Sequence, residues 1–369
     1  MAGKTTAPLL DNRALNRATL ARQMLLKRQE MSVEKALEHL IGLQGQTHNA
    51  PYVGLWSRLE HFTIADLEKL LNARDAVRAT LQRGTLHVTT ARDYLAMRPL
   101  LQPLMKRIFA GNFGKQLRQV EVDEIRDAGR RLLGHTAMSA SAIGKALGER
   151  WPDEDSTALG MVMRHLEPLL HVPPAGLWGA TKAPKLMMAK AWLGREPGKG
   201  MTLKALVLRY LEAFGPASKV DFTAWCGITA SDAFEDLRSR LAVFRSDDGR
   251  ELFDLEDAPP LEVDAEAPAR LLAAYDNVIL GYAERGRIID PRLFGHVATR
   301  NGIFFPTFTV DGFVRGIWKL VPGDAPVVEL RWFEVLSAKD RAALTLEAQL
   351  LLQCFAAGSR GEVRFAAFA

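Results

Sequence analysis

The chain has 369 residues, of which 48% are hydrophobic and 25% are charged, and its formal net charge is +5. This composition is typical of a soluble globular protein and excludes a disordered or fibrous chain, while two cysteines are too few for a disulfide framework. No apolar run has the length of a membrane span, and the first residues lack the apolar core of a signal peptide. We therefore expect a cytoplasmic protein of two or three domains.

The charge is distributed unevenly along the chain. Residues 232–266 contain twelve acids and four arginines, a net of −8, so the remaining residues together carry +13. Residues 97–119 contain five basic residues and no acid. Such a stretch suits a polyanionic partner, and the alternative is a solvated helix face.

The first predicted elements have the order of a winged helix. Apolar periodicity predicts a helix over 12–29, a second helix that begins after Ser32, and a third over 63–72. Residues 77–89 contain two alternating β-rich halves around Arg83-Gly84, which is typical of a hairpin. Helices followed by a hairpin predict a helix-turn-helix unit with a β-hairpin wing.

The same order of elements returns twice. The second round has helices over 139–148 and 156–170 and a long hairpin over 169–193. In the third round, the sequence predicts helices over 202–213, 217–225 and 230–241 and a hairpin over 242–255. After Pro260 the chain is β-rich, with predicted strands over 275–282, 303–310, 313–320 and 327–333, a turn at Asp311-Gly312 and a last helix over 338–357.

We therefore predict an α+β, mostly α fold of tandem winged-helix motifs with a β-rich C-terminal domain. The predicted domains are winged helix 1 over 12–96, winged helix 2 with the long hairpin over 97–200, winged helix 3 over 201–258, and the C-terminal domain over 261–369.

Several common kinds of catalytic site are absent from the sequence. It contains no GxGxxG, no HExxH and no GxSxG, and its eight histidines are scattered. We therefore expect neither a metal nor a cofactor, and an enzyme with this sequence must use side chains outside the usual nucleophile and metal sets.

Two glutamines stand out at the predicted exit of the second helix. On a straight helix Gln44 and Gln46 would diverge by about 200°, so they converge only if the helix ends or bends between them, which Gly45 permits. Each carboxamide offers an acceptor and a donor, and two of them can hold one water molecule in a fixed orientation. The alternative is an ordinary polar helix exit.

These residues belong to a set of motifs that runs in order through the chain. The motifs are Leu20 to Leu26 (Leu-x-Arg-Gln-x-Leu-Leu), Gly42-Leu43-Gln44-Gly45-Gln46, Pro51 to Leu59, Arg83-Gly84-Thr85-Leu86-His87, Ala91 to Tyr94, Tyr275-Asp276-Asn277, Leu280-Gly281-Tyr282, Arg285, Asp311-Gly312, Gly316 and Trp318. As a set they resemble the AlkZ/YcaQ-like winged-helix DNA glycosylases, the family that includes azinomycin-resistance proteins of antibiotic producers.

The resemblance implies a concave surface of tandem winged helices that binds double-stranded DNA carrying alkylated bases. It therefore also implies a cytoplasmic protein that is associated with the nucleoid when it is bound to DNA. It implies hydrolysis of the N-glycosidic bond of N7-alkylated guanine, including bulky or interstrand-crosslinked adducts, in DNA repair or in self-resistance to a DNA-alkylating natural product. The catalytic signature would be Gln44 and Gln46, as in the Gln-x-Gln branch of the family. Because no lysine lies beside this pair, we expect a monofunctional enzyme.

Further candidates surround the glutamine pair or carry positive charge. His48 and Asn49 are candidates for lesion binding, although Asn-Ala-Pro is also a natural turn. The hairpins at Arg83-Gly84 and around Trp178 are candidates for probing the duplex. Candidates for contact with DNA phosphates, each with a structural or solvated charge as the alternative, are Arg58, Arg83, Arg98, Lys106, Arg107, Lys182 and Lys185.

Two other functions remain open at this point. A non-catalytic winged-helix transcriptional regulator would bind a defined operator, often as a symmetric dimer. The sequence has no dimerisation coiled coil, so we expect a monomer. A small-molecule binder that uses the β-rich domain, such as a drug-sequestering resistance protein, is the third possibility.

Overall fold

The computed structural model describes residues 7–198, 200–358 and 360–368. It is 44% helical and 18% strand, which confirms the predicted α+β class and its excess of helix. No helix in the described part of the chain is both long and apolar enough to cross a membrane.

The helices are α1 (Asn12–Arg22), α2 (Val33–His39), α3 (Ala50–Trp56), α4 (Ile64–Ala73), α5 (Ala91–Leu100), α6 (Gln102–Asn112), α7 (Val122–Leu133), α8 (Ala140–Gly148), α9 (Ser156–Leu166), α10 (Ala189–Leu193), α11 (Leu203–Phe214), α12 (Lys219–Cys226), α13 (Ser231–Leu237), α14 (Asn277–Leu280), α15 (Phe294–Val297) and α16 (Ala338–Phe355). The strands are β1 (Leu9–Leu10), β2 (Leu43–Gln44), β3 (Ala76–Thr80), β4 (Leu86–Thr90), β5 (Leu169–Val172), β6 (Lys185–Met188), β7 (Leu241–Ser246), β8 (Glu251–Leu255), β9 (Arg270–Leu271), β10 (Thr307–Val310), β11 (Phe313–Val321), β12 (Val327–Trp332) and β13 (Glu362–Ala367).

The predicted helix starts are set by the side chains that cap them. The Ser32 side chain accepts a hydrogen bond from the Lys35 amide, and Thr63 forms a capping box with Asp66 at the start of α4. Helix α1 ends at Arg22 rather than at residue 29 because Met24 adopts a positive φ of 57°, which no α-helix continues through.

The hairpins of the first two predicted units form one sheet. Its strand order is β2-β4-β3-β5-β6, and Arg78 of β3 is paired in register with His171 of β5. The predicted boundary between residues 96 and 97 is therefore wrong, because it falls inside helix α5 and separates strands that hydrogen-bond to each other.

The C-terminal unit contains a sheet of order β13-β12-β11-β10-β9. Its predicted hairpin is present, with Asp311 and Gly312 at φ of 47° and 80°. The predicted strand over 275–282 is wrong: the side chain of Asp276 caps α14 by accepting a hydrogen bond from the Val278 amide. Strand β13, which pairs with β12 in parallel, was not predicted.

Helix α1 connects the third helical unit, which contains α11–α13 with β7 and β8, to the C-terminal unit, which contains β9–β13 and α14–α16. Arg22 forms a bidentate ion pair with Asp254 of β8 at 2.5 and 2.6 Å. The Asn16 side chain donates to the backbone oxygens of Arg287 and Gly312 at 2.8 and 2.9 Å. Strand β1 also pairs with β7, so the chain's first described elements hold later units together.

Candidate active site

The two glutamines lie where a short strand leaves the central sheet. Helix α2 ends at His39, and positive φ angles of 55° and 89° at Ile41 and Gly42 turn the chain into β2. Gln44 is paired in register with His87 of β4. The sequence-based placement of the pair at a helix exit is therefore wrong, because Gln44 is the last residue of strand β2.

Four hydrogen bonds between this segment and residues outside it fix its backbone. They are Asn277 Nδ2 to Gly42 O at 3.2 Å, Gln82 Nε2 to Ile41 O at 3.1 Å, Arg78 Nε to Gly45 O at 3.0 Å, and Gly45 N to Leu86 O at 2.7 Å. Residues from β3, the β3–β4 turn, β4 and α14 thus converge on one short segment, which gives it a defined position.

Gln44 is 6% exposed, and its side chain is held by an arginine. Arg83 Nη2 donates to Gln44 Oε1 at 2.6 Å, while Arg83 Nη1 donates to the backbone oxygen of Trp225 at the end of α12. Burial lowers the pKa of Arg83 to about 10, which leaves the guanidinium charged at neutral pH. This hydrogen bond selects the orientation of the Gln44 amide in which Oε1 points toward Arg83.

Gln46 has a different environment. Its side chain is exposed and makes no hydrogen bond to any residue that the structure describes. Gly45 between the two glutamines packs closely, since a Cβ there would lie 3.3 Å from Val88 Cγ2. The motif therefore combines one fixed, buried amide with one amide that is available to a ligand.

The lesion-binding candidates His48 and Asn49 hold a loop of the long hairpin. His48 Nδ1 accepts from the Gly176 amide and Asn49 Oδ1 accepts from the Gly179 amide, both at 2.9 Å. Burial, and then the nearby Arg78, lower the pKa of His48. These bonds give both side chains a structural role, and contact with a lesion stays a prediction.

Aromatic packing holds Trp178, which lies in the same loop. Trp178 stacks on Phe355 of α16 with ring centroids 4.5 Å apart and meets the edge of Tyr52 at 5.4 Å. At the other predicted probe, a Cβ on Gly84 would lie 2.4 Å from Ile108 of α6. Trp178 and Gly84 are therefore packed against protein, whereas residues 181–185 of the long hairpin are exposed, and contact of either hairpin with a duplex stays a prediction.

The histidine beside Gln44 is neutral. Burial, followed by the charge of Arg83, lowers the pKa of His87 to about 3. A neutral imidazole whose protonated form is this unfavourable does not serve as a general acid near neutral pH. The chemistry available at Gln44 is therefore that of amides and a neighbouring guanidinium.

Two of the predicted phosphate contacts have structural roles instead. Arg58 is fully buried and forms a bidentate ion pair with Asp276 at 2.7 and 3.0 Å. Arg98 is 4% exposed and donates to the backbone oxygens of His165 and Glu167. Both predictions are corrected, because a guanidinium whose donors are used inside the protein is not available to DNA.

Of the other five basic candidates, Arg83 holds Gln44 and the remaining four lie at the surface. Lys106 and Arg107 are exposed on α6, and Arg107 also donates to Gly227 O at 2.8 Å. Lys182 and Lys185 are exposed on the long hairpin. None of these four forms an ion pair with an acid in the described residues, so their contact with phosphates stays a prediction.

Three residues that support the glutamine segment were not among the predicted site residues: Arg78, Gln82 and Asn277. Asn277 belongs to the Tyr275-Asp276-Asn277 motif, but the sequence analysis predicts a strand there. Asp276 instead caps the helix α14 that begins at Asn277, and this helix start positions the Asn277 side chain. Within the described ranges, no group of three or more His, Cys, Asp or Glu side chains could hold a metal ion.

Comparison with known families decides the identity of this scaffold. The model of the family described as DNA glycosylase AlkZ-like matches residues 37–354, which include the glutamine segment and the residues that fix it. The chain belongs to the AlkZ-like DNA glycosylase family. The AlkZ-like fold is also found in the structure of the Streptomyces sahachiroi DNA glycosylase AlkZ, with a TM-score of 0.78 and 21% sequence identity over 97% of this chain and 100% of that one. Comparison with curated proteins gives no match.

Proposed function

We propose that this AlkZ-like protein hydrolyses the N-glycosidic bond of N7-alkylated guanine in double-stranded DNA, including bulky or interstrand-crosslinked adducts, and serves in DNA repair or self-resistance. The observation that carries the proposal is the Gln44–Gln46 pair, with one amide fixed by Arg83 and the other exposed. We infer further that the helix–hairpin units are tandem winged helices, that they bind the duplex, and that the protein acts as a monomer.

The proposed substrate needs little acid–base chemistry. N7-alkylation places a positive charge on guanine, so the base leaves as a neutral molecule without protonation. The absence of a charged imidazole at His87 is compatible with such a reaction. What the reaction needs is a positioned water molecule and dipoles that face the positive charge developing on the sugar.

Gln44 and Gln46 supply those groups in the proposed mechanism. Arg83 occupies one lone pair of the Gln44 oxygen, so the second lone pair and the amide NH2 remain for the water. The exposed Gln46 amide binds the same water and directs it to the anomeric carbon. Orientation of this kind can lower a barrier by about 7–11 kcal/mol in favourable cases.

The proposal includes a monofunctional reaction without strand cleavage. A glycosylase that also cleaves the strand uses an amine nucleophile, and residues 40–52 around the pair contain no lysine. Water is then the nucleophile: the C1′–N9 bond breaks, a C1′–O bond forms, and the products are the neutral modified base, an abasic site and one proton, which passes to solvent.

The test is release of N7-methylguanine from a defined duplex by the wild type and by Gln44→Ala and Gln46→Ala. We expect each variant to lose about 10²-fold or more in rate, in the range found when one positioned catalytic group is removed. Gln353→Ala, which removes an exposed amide on α16, is the matched control and should keep the wild-type rate.

Undiminished release by both active-site variants would contradict the proposed roles. A wild type that releases no base but binds one operator sequence tightly would instead support the transcriptional regulator.

A further inference from the structure

Three non-glycine residues with left-handed backbone conformations lie around the start of the glutamine segment, residues 41–46. They are Ile41 and Arg83, both with a φ of 55°, and Tyr275, with a φ of 58°. Ile41 lies in the segment, and the other two lie in turns that contribute a hydrogen bond to it. A positive φ is an outlier for a β-branched or bulky residue, and such residues persist only where their surroundings hold them. The contacts that hold Ile41 are therefore worth testing for a role in function.

Asn277 carries a contact from the C-terminal unit to this segment. Its Nδ2 donates to Gly42 O at 3.2 Å and, over a longer distance of 3.4 Å, to Leu40 O. These carbonyl groups flank that of Ile41, which accepts a hydrogen bond from Gln82 Nε2 at 3.1 Å. Within the described residues, no other group donates to the oxygens of Leu40 and Gly42. Two carboxamides thus hold three consecutive carbonyl groups at the turn that begins the segment.

The chemistry of this contact suits an asparagine amide. A backbone carbonyl only accepts hydrogen bonds, so the side chain must present its NH2 group, whose two hydrogens can serve both oxygens at once. An aspartate has nearly the same shape but would place an oxygen against them. The turn that carries Asn277 is itself fixed, because Asp276 forms the bidentate ion pair with Arg58 and accepts from the Val278 amide.

The same contacts set where strand β2 begins. Gly42 directly precedes β2, and Gln44 is the second and last residue of that strand. Only these two residues pair with β4, so the sheet alone supplies few hydrogen bonds to hold them. If the carbonyl groups beside Ile41 lose their donor, its backbone can relax from the left-handed conformation. Such a change would move the Gln44 amide relative to the substrate.

We propose that Asn277 is a positioning residue for base release. Its amide holds the left-handed turn at Ile41, and this turn sets the position in which β2 presents Gln44 to the substrate. The inference rests on the proposed function, because it takes Gln44 as a residue that acts on the substrate. It gives the C-terminal unit a role in catalysis that requires no contact with the reacting atoms.

The test is a double-substitution cycle with a matched control. N7-methylguanine release by the wild type, Asn277→Ala, Gln44→Ala and the double variant is measured in a single turnover at saturating enzyme. Asn16→Ala is the control, because Asn16 is also buried and its Nδ2 also donates to two backbone oxygens, those of Arg287 and Gly312, which lie outside the glutamine segment. Affinity is measured separately on a duplex that carries a tetrahydrofuran abasic analogue.

We expect Asn277→Ala to lower the single-turnover rate by about 10- to 10²-fold, the upper value being the effect of a misplacement of about 1 Å. Its affinity for the abasic duplex should equal that of the wild type. The double variant should be no slower than Gln44→Ala, because a residue that acts through Gln44 contributes nothing once that amide is removed. Asn277→Asp should be slower than Asn277→Ala. Asn16→Ala should lower the melting temperature but keep the wild-type rate.

An additive cycle, in which the double variant loses the product of the two single effects, would overturn the positioning role. Equal rates for Asn277→Ala and Asn16→Ala would also overturn it. Circular dichroism shows whether each variant is folded at the assay temperature. If Asn277→Ala is not folded, Asn277→Ser, which keeps a hydroxyl donor, takes its place in the same cycle.

Failure of this inference is distinguishable from failure of the proposed function. A wild type that releases no base, or a Gln44→Ala variant that keeps the full rate, would refute the proposed reaction and this role together. Normal release by the wild type, loss of release in Gln44→Ala and an additive cycle would refute the role of Asn277 alone.

Discussion

Arg83 connects the glutamine motif to the third helical unit, and its removal tests whether that connection positions Gln44. The side chain donates to Gln44 Oε1 at 2.6 Å and to the backbone oxygen of Trp225. Arg83→Ala leaves the Gln44 amide without its donor, and Arg83→Lys keeps the charge but loses the two-pronged geometry. We expect both variants to slow base release, with Arg83→Lys the less severe.

The magnitude follows from the type of contact that is lost. A hydrogen bond from a charged donor contributes about 1.5–3 kcal/mol, which corresponds to roughly 10- to 150-fold in rate if all of it serves to orient the Gln44 amide. A displacement of a catalytic group by about 1 Å has an effect of similar size, about 10²-fold. We therefore expect Arg83→Ala to reduce the single-turnover rate by about 10²-fold.

The assay separates positioning from DNA binding, which was the sequence-based role of Arg83. If Arg83 positions Gln44, its loss lowers the single-turnover rate at saturating enzyme and leaves the salt dependence of duplex binding unchanged. If Arg83 contacts a phosphate, the slope of log K against log salt falls by about 1 and the saturated rate is preserved. The second pattern would refute the positioning role.

Two further predictions concern the scaffold of the site. Asp276→Ala should lower the free energy of unfolding, measured by urea titration, by about 3–5 kcal/mol because it leaves the buried Arg58 guanidinium unpaired. The control is Asp290→Ala, which removes the partner of the exposed Arg292. Equal effects of the two substitutions on the free energy of unfolding would contradict the reasoning. Gly227→Ala should slow base release, because Gly227 has a φ of +88° and an added Cβ would lie 3.1 Å from Arg83 Cα. Gly249→Ala is the control, because Gly249 has a φ of +82° and an added Cβ would lie in open space, so base release should be unchanged. Similar rates for the two variants would contradict the view that the methyl group at residue 227 acts by displacing Arg83.

Local signals in the sequence predicted most of the elements correctly. The cap at Ser32, the capping box at Thr63 and the turn at Asp311-Gly312 each depend on a few neighbouring residues, and all three are present. The sharing of one sheet by β3 and β5 was not predictable in this way, because it depends on residues about 90 positions apart. The predicted strand at 275–282 failed since apolar residues alone do not distinguish a short buried helix from a strand.

The sequence indicates candidate residues for the site but not the contacts between them. Gln44, Gln46 and Arg83 all lie in the motif set, yet only the charge of Arg83, and not its contact with Gln44, could be inferred from the sequence. Arg58 shows the limit of arguing from charge: its exposed or buried state depends on Asp276, which lies 218 residues later. Contacts of this separation are set by tertiary packing and leave no periodic signal in the sequence.

The position of Arg83 also gives a physical reason for an amide rather than a carboxylate at residue 44. A carboxylate 2.6 Å from a buried guanidinium would form an ion pair, and its charge would be largely neutralised by that partner. A neutral amide keeps its remaining lone pair and its NH2 for a water molecule, and binding to Arg83 selects one orientation of the two. The cations nearest the motif, Arg78 and Arg83, then contact it through its backbone oxygen and its Gln44 side chain respectively. This arrangement holds the Gln44 amide rigidly, whereas an acid at this position would have its oxygens and its charge engaged by Arg83.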